Sequence, residues 1–247
     1  MAKILIFPLG VGDTNENIYK RTYIPIKYRI GNKEIEDRFI ISVLIDYLKV
    51  DKVIIVGTSR SMWENLYKHY AELVNEFDEE YWRNIGEKVG KSENESCYIS
   101  EDDLKKIEEV IDKYLKKINP NATGGSKCKI IKYGSNENEI LENFDIFMGM
   151  IEEINEGDEI YLDITHSFRS IPLFMYLMLE FVQYLKKDVR LKGLYYGMLD
   201  AYKRNYATIV DLSPLFEISY WIKGMYDFTN YGNNYLISKL LEKKIKI

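Results

Sequence analysis

Histidine and cysteine are nearly absent, with two of each in 247 residues. His69 and His166 lie far apart, and Cys97 and Cys128 sit in polar stretches without metal-ligand spacing. A histidine- or cysteine-rich metal centre is thereby excluded, and two reduced thiols are expected. Long apolar runs are missing too: none approaches the roughly 20 residues needed to cross a bilayer. Positive charge is outweighed, with 34 Lys and Arg against 39 Asp and Glu and a formal net charge of −5. Long duplex nucleic acid, which calls for a basic face, is therefore a poor partner. A small polyanion is still within reach, because helix N-termini, glycine loops and one or two cations suffice to hold it. The chain contains no Walker A lysine motif and no GxSxG elbow, and Gly10-Val11-Gly12 runs on to Asn15 where a nicotinamide fingerprint has a third glycine. It opens directly on strand-like Lys3-Ile4-Leu5-Ile6-Phe7 rather than on the three-part layout of a secretory signal. A cytoplasmic protein without metal or cofactor is expected.

What is present is a 46% apolar chain whose short hydrophobic runs are separated by charged helical stretches, a pattern of globular α/β domains. Strands are expected at 3–7, 52–56, 127–133, 159–163, 190–197 and 206–211, with 22–30 extended. Helices are expected at 35–49, 63–77, 101–118, 137–154 and 171–187, and from Pro214 to Phe228 and Asn234 onward. Ser100-Glu101-Asp102-Asp103 has the form of a capping box. Residues 78–100 are polar without a clear period and read as a mobile insertion. Strands alternating with helices imply right-handed crossovers and a mostly parallel sheet with helices on both faces, closed by a terminal β-hairpin. The organisation expected is a Rossmann-like domain over 1–212 and C-terminal connector helices over 213–247.

In such sheets ligands collect at the carboxyl ends of the strands, where the winding direction reverses. Three strand ends here carry unusual polar loops. The first holds Gly10, Gly12, Thr14 and Asn15. The second is Gly57-Thr58-Ser59-Arg60-Ser61-Met62-Trp63, with a turn glycine, hydroxyl donors, a cation for phosphate and a Trp63 ring that a base can stack on or the core can bury. The third, Asp163-Ile164-Thr165-His166-Ser167-Phe168-Arg169-Ser170, places an acid, hydroxyls, an imidazole and a guanidinium between a core strand and a nearly all-apolar helix. Ser170 is a candidate N-cap with Pro172 in the first turn, so free backbone N–H groups point at whatever binds. His166 and Arg169 suit phosphate, and Thr165 or Ser167 a ribose or phosphate oxygen. His69, on a charged helix, reads as a surface residue.

The Asp163-Ile164-Thr165-His166-Ser167-Phe168-Arg169-Ser170-Ile171-Pro172 string resembles the CRISPR-associated Rossmann-fold (CARF) proteins of the DxTHG-motif group, with Ser167 where that motif has glycine. The 57–63 loop, Gly193-Leu194-Tyr195-Tyr196-Gly197 and Val210-Asp211-Leu212-Ser213-Pro214-Leu215 are also similar to the family, so the resemblance covers about 1–230. It implies a homodimer that binds a cyclic oligoadenylate, whose two-fold symmetry matches two identical half-sites. It also implies a downstream effector, often a HEPN ribonuclease; that domain's closely spaced Arg and His pair is absent here, Arg60 and His69 being too far apart. Two activities follow as expectations. One is a metal-independent ring nuclease in which each ribose 2′-OH attacks the adjacent phosphate to leave 2′,3′-cyclic phosphate ends, with His166, Arg169 and Ser167 as the catalytic set. The other is a non-catalytic sensor that controls an effector outside this chain.

Overall fold

In β1 (Lys3–Leu9) and β4 (Lys52–Thr58) every residue after the leading lysine is buried, and β6 (Glu159–Asp163) repeats the pattern after Glu159. Unbroken apolar strands of this kind fit only a sheet covered on both faces. The computed structural model describes residues 1–12, 18–21, 23–92, 98–166, 170–199 and 206–245. Among them, eight strands form one sheet in the order β3-β2-β8-β7-β6-β1-β4-β5, where β2 is Ile26–Ile30, β3 Lys33–Asp37, β5 Lys127–Ile131, β7 Arg190–Gly197 and β8 Ala207–Asp211. The β1–β4, β1–β6, β4–β5, β6–β7 and β2–β8 pairs are parallel, and β2–β3 is antiparallel. The expected mostly parallel α/β architecture is observed, but β7 and β8, although adjacent, do not form its edge: β2 pairs beyond β8, and the antiparallel edge is β2–β3.

The chain lays β4 and β5 on one side of β1 and then returns to place β6 on the other. The winding direction thus reverses at β1, which makes the carboxyl ends of β1 and β6 the switch point. Helices α1 (Ile40–Leu48), α2 (Trp63–Leu73), α3 (Glu79–Lys91), α4 (Lys105–Ile118), α5 (Glu137–Gly149) and α6 (Ile171–Leu185) follow the strands. The capping box at Ser100 and Asp103 is present, ahead of a short 3₁₀ turn that leads into α4.

Three expectations are corrected. Residues 35–39 are not helical: Lys33-Glu34-Ile35-Glu36-Asp37 pairs with β2 as a hairpin edge, and α1 begins only at Ile40. Ile35 is the single apolar residue between charged pairs, so the segment carries no period of its own, and the Gly31 turn (φ 56°) that pairs it with β2 decides for the strand. The 78–100 stretch contains α3, capped by Asp78, whose carboxylate accepts from Glu80 N–H and Tyr81 N–H. α3 buries Ile85 and Val89, a contact the polar composition hid. Finally, the 171–187 helix, whose nearly all-apolar sequence reads as a core helix, is not buried all round. Ile171, Phe174, Met175, Met178, Leu179 and Val182 face the core, whereas Leu173, Phe181, Tyr184 and Leu185 are exposed.

The chain forms two compact units, Met1–Val210 and Asp211–Ile247. The second is a helix pair, α7 (Pro214–Tyr231) and α8 (Tyr235–Ile245), joined after Gly232 in the left-handed conformation (φ 66°). Gly224 lets the two helices approach closely: a Cβ there would lie 3.0 Å from the Ile237 side chain. No helix among the described residues is long and apolar enough to cross a membrane.

Candidate functional site

Because β6, β1 and β4 are neighbours and parallel, Asp163, Leu9 and Thr58 end at one rim. The first two loops are bonded directly to each other there. Met62 N–H donates to Gly10 O (3.0 Å), and Ser61 Oγ donates to Leu9 O (2.6 Å) while accepting from Thr58 N–H (2.9 Å). Gly57 is required by space: a Cβ would lie 2.6 Å from the Trp63 ring and 2.9 Å from Ser61 Oγ. Gly12 is required by its left-handed backbone (φ 68°) and by the Met62 sulfur against it.

A buried arginine fastens this pair of loops. Arg21, 4% exposed, uses all five of its N–H donors: Nε and Nη2 on the Glu64 carboxylate (2.9 and 3.1 Å), Nη1 on Val11 O and Arg60 O (3.0 and 2.7 Å), and Nη2 on Ser61 O (3.2 Å). Burial pushes the Glu64 carboxyl above its ordinary value and the Arg21 guanidinium pulls it back. Asn65 Nδ2 adds hydrogen bonds to Glu64 Oε1 (3.0 Å) and to Arg21 O. A planar fork of donors is what can bridge three carbonyls and a carboxylate at once.

The third loop closes on the first. The His166 ring stacks on Tyr23 (centroids 4.3 Å apart, planes 14° off parallel), and the Tyr23 hydroxyl is hydrogen-bonded to the Gly10 backbone. A Cβ on Gly10 would meet that hydroxyl at 2.6 Å and His166 Cβ at 3.7 Å. Asp163 is fully buried, and its Oδ1 accepts from Thr165 N–H (3.2 Å) and Thr165 Oγ1 (2.6 Å). Thr165 Oγ1 in turn accepts from Gly197 N–H on β7 (2.8 Å). Among the described residues, two buried polar atoms here have no hydrogen-bond partner, Asp163 Oδ2 and His166 Nε2. Burial raises the Asp163 carboxyl to about 7, against the pull of the Thr165 hydrogen bonds, and lowers His166 to about 4. His166 is accordingly a neutral imidazole near pH 7, able to meet a phosphate or purine edge by hydrogen bonding and not by charge.

The structure therefore brings together Gly10, Gly12, the 57–63 loop, Asp163, Thr165 and His166. Thr14, Asn15, Ser167, Phe168 and Arg169 lie outside the described residues. Within the second loop the side chains divide. Thr58, Ser61, Met62 and Trp63 are fully buried and Ser59 is nearly so. Trp63 Nε1 donates to Thr58 O (2.8 Å), so this ring shapes the loop and has no face open for a base. Arg60 is half-buried, and among the described residues only its backbone carbonyl is engaged, by Arg21. Its guanidinium is thus an available cation at the rim. Arg21, Glu64 and Tyr23 were not legible in the sequence. Arg21 has partners 10, 39, 40 and 43 positions away, so no local motif marks it. His69 is not a surface residue: its Nε2 lies 3.1 Å from Ser42 Oγ and 3.3 Å from Asp37 Oδ1. A cavity of about 180 Å³ beside it, lined by Arg38, Phe39, Asn65, Lys68, His69 and Glu72, contains none of the sequence-predicted ligand residues and is too small for an oligonucleotide. Among the described residues no group of three or more His, Cys, Asp or Glu is placed to hold a metal.

Comparison with known proteins gives three matches. The model of the CARF domain of the CRISPR system endoribonuclease Csx1 matches residues 4–200. The model of the second domain of CRISPR-associated protein MJ1674 matches residues 217–246. CRISPR-associated protein MJ1674 of Methanocaldococcus jannaschii is 66% identical over 249 residues, a span that takes in 100% of this chain and 39% of that relative. The chain thus corresponds to about two fifths of the relative's length.

Proposed function

Since this chain belongs to the CARF-domain family of CRISPR-associated proteins, we propose that it is a sensor unit that binds a cyclic oligoadenylate, cyclic tetra-adenylate first among them, at the carboxyl ends of β6, β1 and β4. The observation that carries this reading is the junction of the three strand-end loops, in which Met62 holds Gly10 and His166 packs over Tyr23 against Gly10. The junction offers glycine backbone and the Arg60 guanidinium within one rim, with His166 Nε2 buried just beneath it and without a partner among the described residues. These suit phosphate and purine edges, while the acidic balance of the rest of the chain disfavours long nucleic acid.

The binding unit in this reading is a two-fold homodimer, each chain contacting half of a two-fold symmetric ring. The exposed stripe Leu173, Phe181, Tyr184 and Leu185 on α6, the helix that follows the third loop, supports it, because apolar faces of this kind are rarely left in water. Titration calorimetry with cyclic tri-, tetra- and hexa-adenylate tests the ligand. Arg60→Ala, His166→Ala and Arg169→Ala should each weaken binding roughly tenfold or more, and His69→Ala far less. Equal affinity for all four variants would overturn the assignment of the rim.

Cleavage of the ring is a second reading, favoured by the Thr165 hydroxyl and neutral His166 imidazole in the same loop, beside Ser167 and Arg169 of the motif. The chemistry would be in-line attack of a 2′-OH with no metal, the rim holding the geometry. Labelled cyclic tetra-adenylate incubated with the protein in EDTA distinguishes the two: linear products with 2′,3′-cyclic phosphate ends indicate cleavage, and an intact, bound ring indicates a sensor.

A further inference from the structure

The Asp163 carboxyl has no place in the reading above, although it heads the third loop and is the most deeply placed acid of the rim. Its surroundings are those of a neutral acid. It is fully buried, and no Lys, Arg or His forms an ion pair with it among the described residues. Only one oxygen is hydrogen-bonded, by Thr165 N–H and Oγ1, while Oδ2 is buried without a partner. A buried carboxylate ordinarily has several donors or a cation. Among the described residues, the groups packed around it offer no compensating charge. Tyr28 on β2 and Tyr23 on the segment before it are both held protonated by burial. Tyr195 lies at its register position on β7, and His166 on its own loop is neutral.

We propose that Asp163 is a proton-bearing positioning residue of the rim: through Oδ1 it holds Thr165 and the strand-end loop in the ligand-receptive arrangement, and its ionisation puts an uncompensated negative charge beneath the rim that weakens the grip on a phosphate-bearing ligand. The proposal rests on the cyclic-oligoadenylate reading for the identity of the ligand. Two physical links support it. Thr165 bridges the acid to Gly197 N–H, so the acid's state reaches both β6 and β7 ends. A carboxylate in a low-dielectric interior two or three residues from the phosphate-facing groups repels a polyanion with little screening. The carboxyl's raised value, about 7, puts the change within the range where binding can be measured, whereas His166, lowered to about 4, stays silent there.

The test is the affinity for cyclic tetra-adenylate of the full chain and of Asp163→Asn from about pH 6 to about pH 9. Asparagine keeps an oxygen for Thr165 and cannot ionise. The wild-type affinity should fall by up to about tenfold per pH unit above the carboxyl's value, and that of Asp163→Asn should stay flat. Parallel profiles for the two proteins overturn the proposal, as does loss of binding by a folded Asp163→Asn at about pH 6. Infrared spectra of the ligand-free wild type carrying ¹³C-aspartate give a second, ligand-independent readout. A protonated aspartic carboxyl band near pH 6 that fades on going to about pH 9 is expected, and its absence overturns the proposal even if the variant does not fold. Failure of the ligand reading looks different: neither protein binds the ring at any pH, while the carboxyl band still reports the state of Asp163.

Discussion

At the scale of single residues, the rim holds two ionisable groups displaced in opposite directions, and folding should register both. Asp163 is raised from 3.8 to about 7, so the folded state binds the extra proton and stability falls as pH rises through that window, by about 4 kcal/mol in all. His166 is lowered from 6.5 to about 4, so the unfolded state binds the extra proton and stability is gained as pH rises, by about 3 kcal/mol. The two nearly cancel in the wild type. Urea denaturation between about pH 4 and about pH 8 should therefore show stability rising with pH in Asp163→Asn and falling in His166→Phe. A slope of the same sign in both variants would contradict these environments. Arg21 poses a different case, since its removal strands the Glu64 carboxylate in the core. Arg21→Ala should cost about 3–5 kcal/mol by chemical denaturation, and Arg21→Lys should recover only part, because an ammonium cannot reproduce the fork.

At the scale of elements, short polar loops hang on stiff strands and are kept in place by close backbone approaches. Gly12→Ala should lose roughly 1–3 kcal/mol and displace Met62, because its φ of 68° and the sulfur beside it both exclude a Cβ. Gly125→Ala, at a φ of 82° with nothing within 4 Å, meets the backbone penalty alone. Thermal denaturation should find both variants weaker, but only Gly12→Ala should impair ligand binding. The elements also show where pattern reading stops. The apolar periodicity of 63–77 and 171–187 located α2 and α6, yet the faces of α6 could not be told apart because both are apolar. The 33–37 hairpin edge was missed because a segment with one apolar residue supports neither period, and its pairing with β2 is what resolves it.

At the scale of the whole molecule, the reversal of winding at β1 assembles one rim from residues 9–12, 57–63 and 163–166. In the proposed homodimer, one rim on each of two chains predicts one ring bound per dimer. Calorimetry should give one cyclic tetra-adenylate per two chains, and light scattering should give a dimer. Replacing Phe181 and Leu185 by lysine should yield monomers with greatly weakened binding, since like charges would face each other across the stripe. A monomer that binds one full ring would refute the half-site arrangement.

Apart from β3 and α3, the order of strands and helices was legible in the sequence, as were the parallel sheet and the Asp163-Ile164-Thr165-His166 loop, because local periodicity and contiguous polar residues carry that information along the chain. The structure alone decided that Trp63 is core, that His166 is neutral and stacked on Tyr23, and that Arg21 fastens two loops. Each of those properties depends on burial and on partners from distant segments. Desolvation and long-range hydrogen bonds are set by which surfaces meet, and a linear pattern does not encode that meeting.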